Sequence, residues 1–283
     1  MHVGDSYEVK CLSKPVLVVG GGIAGIQATL DLAEQGIEVY LLEKNPSIGG
    51  KMAQLDKTFP TLDCASCILT PKMAALLRYS NVKLLTYSEV QEVKGRVGDF
   101  TVKVLRKPRY VDWNKCTGCG TCIERCPVKV PDIYNVNLSQ RKAIYIEYPQ
   151  AVPRKALIDY TNCLRLNPPP DLKEKAKGRP LCGACEKVCP TKAIDYNQQP
   201  EIIELNVAAI ILATGLDLYD ARNIPEYGYG KFQNVYTHLE FERLVSSTGP
   251  TNGHLVRRSD GKIPKKIAWI QCVGSRDIRF NHY

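Results

Sequence analysis

The sequence lacks several features that are typical of membrane proteins, secreted proteins and enzymes with a catalytic histidine. It has no run of about 18 apolar residues, which excludes a transmembrane helix. Its N-terminus is polar and mixed in charge, so we expect no signal peptide and a cytoplasmic protein. Histidine is rare, and the four that occur show neither metal-ligand spacing nor an acid–base arrangement: His2, His238, His254 and His282. No Ser-His-Asp or Cys-His site is therefore predicted.

Cysteine, in contrast, is abundant, with 12 among 283 residues. A secreted disulfide scaffold would be much shorter, so tight Cys-x-x-Cys groups in a chain of this length indicate metal sites in a reducing compartment. Hydrophobic residues make up 44% of the chain, which is typical of an ordinary globular protein.

A dinucleotide-binding pattern begins at residue 16. The run VLVV predicts a buried parallel strand, and Gly20-x-Gly22-x-x-Gly25 follows it directly. Gly20 permits a tight turn, Gly22 lets the backbone approach a pyrophosphate, and Gly25 lets a helix over residues 23–35 pack on the strand. A second predicted strand, IEVYLL, ends in Glu43, whose carboxylate at this spacing binds the adenosine ribose hydroxyls and disfavours a 2′-phosphate.

The segments that follow favour FAD over NAD. EKNPSIGGK, from Glu43, resembles the loop that lines the flavin in the flavoprotein disulfide reductase superfamily. Residues 81–105 predict a three-strand meander, and VAAIILATG, over residues 207–215, predicts a buried strand that resembles the second FAD fingerprint of that superfamily. By this resemblance, the further residues expected at the cofactor are Lys44, Gly50, Lys51, Val90, Thr214 and Gly215.

A cysteine-rich insert separates the meander from the Ala-Thr-Gly strand. KCTGCGTCIERCP places Cys116, Cys119, Cys122 and Cys126 in the C-x2-C-x2-C-x3-C-P spacing of bacterial ferredoxins. In that motif three thiolates bind one [4Fe–4S] cluster and the fourth reaches a second cluster. A zinc site would need neither this spacing nor a second cysteine group with the same proline ending, so iron–sulfur clusters are predicted.

The second cysteine group, LCGACEKVCP, lacks its first ligand, because Arg179 stands where that cysteine would be. ALIDYT before Cys163 mirrors RYVDWNKC around Cys116, which predicts Cys163 as the missing ligand. The 18 residues between Cys163 and Cys182 replace the usual two. They are rich in proline and charge, so an exposed excursion of low energetic cost is predicted.

Two clusters are thus predicted, with their ligands exchanged between the two cysteine groups. One uses Cys116, Cys119, Cys122 and Cys189, and the other uses Cys126, Cys163, Cys182 and Cys185. The formal charge of +9 treats these thiols as neutral. With two clusters and a flavin pyrophosphate bound, about +3 would remain. Because the basic residues are also scattered, no nucleic-acid partner is expected.

Together these segments resemble the A subunits of the heterodisulfide reductase family, flavin iron–sulfur proteins of methanogenic archaea and anaerobic bacteria. The resemblance is carried by TLDCASCILTPKM, KCTGCGTCIERCPVKVP, RKAIYIEYPQAVP, CEKVCPTKAIDYNQQPEIIELNVAAIILATG and IAWIQCVGSRD. It implies FAD, [4Fe–4S] clusters and electron bifurcation at the flavin. It also implies partners: other subunits of such a complex, hydrogenase or formate dehydrogenase subunits, and ferredoxin.

The fold class that we expect is α/β. A Rossmann-like FAD-binding domain of the flavoprotein disulfide reductase type would comprise residues 1–110 and 200–222. A two-cluster ferredoxin-like α+β domain would be inserted at 111–199, and 223–283 would begin a second Rossmann-like lobe. KIAWIQCVG supplies a strand for that lobe but not its glycine fingerprint, so direct NAD(P)H binding is not expected. No residue is predicted to act as a conventional acid, base or nucleophile.

The chain stops soon after IQCVGSRD, and a truncated second lobe is therefore expected. Ile267, Trp269 and Ile270 would be left partly exposed, because a lone strand cannot bury its apolar face. By the family resemblance, Cys272 would be one ligand of a further cluster. A UGA codon misread as a stop is our hypothesis for the truncation, and a separately encoded second half is the alternative.

Other interpretations stay open. Cys64 and Cys67 are either a redox dithiol or ligand pair near the flavin, or two small buried thiols at a helix start. A nearby basic residue would lower the pKa of these thiols, but the one candidate, Lys72, is at least one turn away. Cys11 is isolated and is expected to be a packed or exposed thiol. The alternative functions are an NADPH-coupled flavoprotein like the small subunit of glutamate synthase, and an inert truncated iron–sulfur fragment.

Overall fold

The computed structural model describes residues 14–275, which form two compact units. The first unit contains residues 14–48, 72–108 and 198–214, and the second contains residues 49–71, 109–197 and 215–275. Cys11, His2 and His282 lie outside the described residues. None of the helices in the described part of the chain is long and apolar enough to cross a membrane.

The secondary structure consists of short strands and six α-helices within the described residues. In chain order the strands are β1 (Val16–Val19), β2 (Val39–Glu43), β3 (Lys57–Thr58), β4 (Asp63–Cys64), β5 (Val82–Thr86), β6 (Ser88–Arg96), β7 (Asp99–Arg106), β8 (Lys129–Pro131), β9 (Gln140–Lys142), β10 (Ile144–Tyr145), β11 (Leu157–Ile158), β12 (Glu201–Val207) and β13 (Ala209–Leu212). The α-helices are α1 (Ile23–Glu34), α2 (Ala65–Leu76), α3 (Thr121–Arg125), α4 (Pro170–Lys175), α5 (Ala184–Val188) and α6 (His238–Val245).

The first unit is built on a four-stranded parallel sheet in the order β13-β1-β2-β5. Leu17, Val18 and Leu41 in its central strands are fully buried, as expected for a parallel sheet that is covered on both faces. Helix α1 follows β1 directly, so the predicted strand–turn–helix unit is confirmed.

A three-stranded antiparallel sheet in the order β12-β7-β6 completes this unit. Its core contains Val102, Val104 and Val207, each fully buried. The predicted meander is therefore partly wrong, because its first segment, β5, pairs in parallel with β2 instead. The predicted Ala-Thr-Gly strand is also divided: Val207 ends β12 in the antiparallel sheet, and β13 starts two residues later in the parallel sheet.

In the second unit, the cysteine-rich segment folds into short antiparallel pairs, β8 with β9 and β10 with β11, together with α3 and α5. An isolated bridge joins Val111 to Ile194. The buried cluster of this segment combines Val111, Ile144 and Ile158 with the thiols of several cysteines.

Residues 215–275 form two short 3₁₀ turns and α6, with no strand in that range. The strand predicted within KIAWIQCVG is therefore not formed, since backbone groups of a strand need a neighbouring strand to pair with. Ile267, Trp269 and Ile270 are 57%, 55% and 56% exposed, which confirms their expected exposure.

Candidate functional site

The glycine turn after β1 leaves no room for side chains at two of its three signature positions. Gly20 has φ +111°, and a Cβ there would lie 2.2 Å from the carbonyl oxygen of Ala213. A Cβ on Gly25 would lie 1.8 Å from the carbonyl oxygen of Gly20. These glycines are therefore required by the fold itself, for the turn and for the close approach of α1 to the strand.

Gly22 differs from its neighbours because a Cβ there would meet no atom within 4 Å. It precedes α1 with φ −76°, and no side chain caps the first turn of that helix. Open space thus lies beside the N–H groups at the positive end of a 12-residue helix. This arrangement fits a pyrophosphate, which would accept those N–H groups.

Glu43 is held beside the same turn. Its side chain is buried, Oε2 accepts the N–H of Gly21 at 2.7 Å, and Oε1 accepts the N–H of Asn45 at 2.8 Å. A carboxylate has about four acceptor positions, so these two bonds leave capacity for ribose hydroxyls. The position of Glu43 fits the predicted contact with an adenosine ribose.

The remaining residues predicted at the flavin fall in both units. Lys44 and Thr214 are exposed in the first unit, and Val90 lies on β6 where its pairing with β7 is irregular. Gly50 and Lys51 begin a 3₁₀ turn in the second unit, where Gly215 also lies. Lys51 Nζ is 3.8 Å from Asp217 Oδ1, an exposed pair of little energetic weight.

Eight cysteines of the insert line two separate cavities in the second unit. The first cavity is lined by Cys116, Cys119, Cys122 and Cys189, and the second by Cys126, Cys163, Cys182 and Cys185. The two cavities are similar in size, with volumes of about 330 and 340 Å³ that include their open mouths. The structure thus brings together the two sets of four thiols that the sequence predicted, including Cys163.

The fold of the loops that carry these cysteines explains this convergence. Gly118 and Gly120 have φ +72° and +88°, conformations that glycine adopts without strain. A Cβ on Gly118 would lie 2.3 Å from the carbonyl oxygen of Arg154, so the loop packs tightly against the chain between the cysteine groups. Helices α3 and α5 contact each other and carry one buried thiol each, Cys122 and Cys185.

Burial makes three of the eight thiols harder to ionise. The pKa of Cys119 is lowered by its hydrogen bonds to Thr121, and that of Cys189 is lowered because hydrogen bonds outweigh the effect of burial there. Burial, reinforced by the neighbouring Cys116 and Cys185, raises the pKa of Cys122 to about 12. Burial also raises the pKa of Cys163 and Cys185. Metal ligands must be thiolates, so a cluster bound here would have to compensate this cost with its positive charge. Within residues 14–275, no three His, Cys, Asp or Glu side chains form a group that could hold one metal ion. In a four-iron cluster, by comparison, each thiolate binds a different iron.

Several hydrogen bonds reach the cysteine sulfurs, and the sequence analysis missed them. The Tyr196 hydroxyl is 3.2 Å from Cys185 Sγ, and the Ala193 N–H donates to Cys189 Sγ at 3.2 Å. Such bonds stabilise charge on a ligand sulfur and tune the reduction potential of a cluster. The segment AIDYNQ after the last cysteine gave no indication of this role.

Two part-buried lysines donate hydrogen bonds to the backbone of the cysteine loops. Lys142 Nζ donates to the carbonyl oxygen of Cys126 at 2.6 Å, and Lys155 Nζ donates to that of Cys116. Both lysines lie in the segment between the two cysteine groups, at positions that the sequence analysis did not single out. Their positive charges favour the more negative, reduced state of any cluster bound nearby.

Cys64 and Cys67 are joined by a disulfide, and Cys67 is exposed. The interpretation as two buried thiols is therefore wrong. Lys72 Nζ donates to Gln27 Oε1 at 2.7 Å. Lys57, which the sequence analysis missed, lies directly opposite Cys64 in the β3–β4 pair. Cys272, the predicted ligand of a further cluster, is exposed.

Two protein families match parts of the chain. The family described as FAD dependent oxidoreductase matches residues 15–97, and the 4Fe-4S binding domain matches residues 109–132. The second match covers the first cysteine group only.

Similar proteins match nearly the whole chain. The iron-sulfur A subunit of a CoB--CoM heterodisulfide reductase from Methanocaldococcus jannaschii is 52% identical over 273 residues, which are 96% of this chain and 39% of that protein. The A subunit of an H(2):CoB-CoM heterodisulfide,ferredoxin reductase from Methanothermobacter marburgensis is 49% identical, over 92% of this chain and 37% of that protein. The chain thus spans about two fifths of the length of these relatives. Among solved structures, L-proline dehydrogenase from P. horikoshii matches 33% of this chain and 19% of its own, at 26% identity and a TM-score of 0.29.

Proposed function

The chain belongs to the family of heterodisulfide reductase A subunits, and on that premise we propose that it passes electrons between FAD and two [4Fe–4S] clusters as the electron-transfer flavoprotein of such a complex. The observation that carries the proposal is the gathering of eight cysteines into two cavities with four thiols each. The matches to an FAD dependent oxidoreductase and to a 4Fe-4S binding domain support the two kinds of cofactor.

In the proposed assignment, four cysteines hold each cluster, and every ligand set combines cysteines that are distant in sequence. Cys189 joins the first cysteine group, while Cys126 and Cys163 join the second. Lys155 and Lys142 hold the backbone of the two ligand loops. The apolar side chains around these thiols would limit the access of water to a bound cluster, which is one of the factors that tune its reduction potential.

The glycine turn and Glu43 are proposed to bind the two polar parts of FAD. The N-terminal N–H groups of α1 take the pyrophosphate, Gly22 provides the space, and Glu43 accepts from the ribose. Lys44, Gly50, Lys51, Val90, Thr214 and Gly215 complete the proposed flavin contacts. Bound FAD supplies the exchange between two-electron and one-electron chemistry.

We further propose that the whole protein takes part in electron bifurcation within a larger complex in the cytoplasm. The relative from Methanothermobacter marburgensis carries H(2), a CoB-CoM heterodisulfide and ferredoxin in its name. Heterodisulfide-reducing subunits, hydrogenase or formate dehydrogenase subunits, and ferredoxin are accordingly the proposed partners.

Cofactor analysis of the full chain, purified without oxygen, tests the cluster proposal. We expect about eight irons per chain in two cubanes, beside one FAD. Cys163→Ser should remove about half of the iron, since only one cavity uses this thiol. A chain that binds four irons or fewer, or zinc in their place, contradicts the proposal.

The flavin site is tested separately. Glu43→Ala should release FAD while the iron content stays unchanged, because Glu43 lies in the first unit and the eight thiols lie in the second. Glu38→Ala is the matched control, since this partly exposed carboxylate pairs only with Lys83 among the ion pairs of the described residues. Equal FAD retention in both variants would refute the role of Glu43.

A further inference from the structure

We propose that Cys64 and Cys67 form a redox-active dithiol that exchanges electrons with low-molecular-weight thiols and their disulfides. The two residues are separated by three positions and form a disulfide in the structure. They do not line either of the cavities that collect the other eight cysteines. The proposed clusters therefore leave this pair without a role.

The pair lies where a helix stabilises a thiolate. Cys64 ends β4, and Cys67 is the third residue of α2, a helix of 12 residues. The backbone N–H of Cys67 donates to Cys64 Sγ at 3.2 Å. When the disulfide is reduced, this N–H and the positive end of α2 favour the thiolate form of Cys64.

Lys57 adds a second, independent contribution from the neighbouring strand. It is opposite Cys64 in the antiparallel β3–β4 pair, where facing residues have their Cβ atoms about 4.5–5.5 Å apart. Lys57 is exposed. A cation at this position favours a negative charge on Cys64 Sγ and acts as a positioning group for the exchange.

Exposure assigns different roles to the two sulfurs. Cys67 is exposed, whereas Cys64 is partly buried, so an incoming thiolate reaches Cys67 Sγ first. Its attack forms a mixed disulfide with Cys67 and breaks the bond to Cys64, which leaves with the electron pair as the stabilised thiolate. The exposure of Cys67 thus determines which sulfur is attacked first, and the stability of the Cys64 thiolate determines how fast the disulfide is broken.

A second thiolate completes the reaction. It attacks the outer sulfur of the mixed disulfide, so that an organic disulfide forms and Cys67 leaves as a thiolate that takes a proton from water. Two thiols are oxidised and the protein disulfide is reduced by two electrons. The reverse sequence oxidises the dithiol at the expense of an organic disulfide, and neither direction needs another reactant.

Equilibration of the full chain in glutathione buffers tests this proposal directly. The chain is equilibrated without oxygen, quenched with acid, alkylated and digested with trypsin, which leaves both cysteines on the peptide 58–72. The reduced peptide carries two alkyl groups. The disulfide form carries none, and its mass is that of the unmodified peptide less two hydrogens. We expect half-oxidation within the range of the buffers. A pair that stays fully oxidised at every ratio is a structural disulfide, and one that stays fully reduced is inert; either result overturns the proposal.

Lys57 variants distinguish its proposed role from a structural one. Lys57→Gln should slow the reduction of the disulfide by glutathione about two- to threefold at low salt and shift the pH profile of Cys64 alkylation upward. Lys57→Arg should restore both. Lys94→Gln, which changes a lysine on β6, should have no effect. An unchanged rate and pH profile in Lys57→Gln would contradict the contribution of this residue.

Iron analysis distinguishes a redox-active dithiol at Cys64 and Cys67 from a pair of cluster ligands. The double variant Cys64→Ser, Cys67→Ser should retain all the iron of the parent chain, and Cys67→Ser should accumulate glutathione on Cys64, because no second thiol displaces it. Loss of iron in the double variant would show that these cysteines are ligands and would refute the proposal.

Discussion

The open space at Gly22 makes a specific prediction about flavin binding. Replacing Gly22 with alanine adds a methyl group that meets no protein atom within 4 Å, and its φ of −76° is ordinary for an L-residue. Alanine is a poorer residue than glycine before a helix, by about 0.5–1 kcal/mol. It also lowers the entropy of the unfolded chain, which stabilises the fold by about 0.4–1 kcal/mol. The two effects nearly cancel, so the stability of the flavin-free chain should change little.

FAD binding, in contrast, should weaken. The added methyl group occupies the space through which a pyrophosphate oxygen would approach the first N–H groups of α1. Loss of one hydrogen bond to a charged group costs about 1.5–3 kcal/mol. The dissociation constant of FAD should therefore rise about 10- to 150-fold. Quenching of flavin fluorescence during titration of the flavin-free protein measures this change.

Gly25→Ala is the matched control for this measurement. Its Cβ would lie 1.8 Å from the carbonyl oxygen of Gly20, so the turn has to move and the fold itself should lose about 1–3 kcal/mol. Thermal unfolding of the flavin-free variants distinguishes the two cases. If Gly22→Ala binds FAD as tightly as the parent chain and unfolds at the same temperature, the pyrophosphate does not lie on this turn, and the reasoning is refuted.

Three further substitutions test other features. Tyr196→Phe removes the hydroxyl beside Cys185 Sγ. In an EPR redox titration, the reduction potential of the cluster that Cys185 would bind should fall by about 20–40 mV, and that of the other cluster should stay unchanged. Equal shifts in both potentials would contradict the assignment of Cys185 to one cluster. Arg243→Met should destabilise the protein by about 2 kcal/mol in urea, because this fully buried guanidinium donates to Asn135 Oδ1 and to the carbonyl oxygen of Gln54; an unchanged midpoint would count against that role. Burial raises the pKa of Tyr134 from 10.0 to about 12, so its contribution to stability is complete below pH 10 and is lost as the pH rises towards 12. Tyr134→Phe should flatten this slope in alkaline denaturation, and a slope equal to that of the parent chain would exclude Tyr134 as its cause.

Local patterns in the sequence determined much of the proposed flavin and cluster sites. The strand, Gly20-x-Gly22-x-x-Gly25 and Glu43 lie within one strand–helix–strand unit, whose geometry depends on close neighbours in the chain. Cysteine spacing predicted seven of the eight proposed ligands, because such motifs curl around a common centre. Cys163, which lies before an 18-residue excursion, was predicted from the segment ALIDYT that precedes it and mirrors the segment around Cys116.

The tertiary structure alone decided the features that depend on strand pairing. Periodicity predicts β5, β12 and β13 as strands but does not select their sheets, so it wrongly places β5 in the meander and predicts a single Ala-Thr-Gly strand where the structure has two. The same holds for Lys57, which is close to Cys64 only through the register of β3 and β4. It also holds for Tyr196, whose hydroxyl reaches Cys185 from 11 residues away. These contacts arise from the pairing and packing of whole elements, which composition and spacing along the chain do not predict.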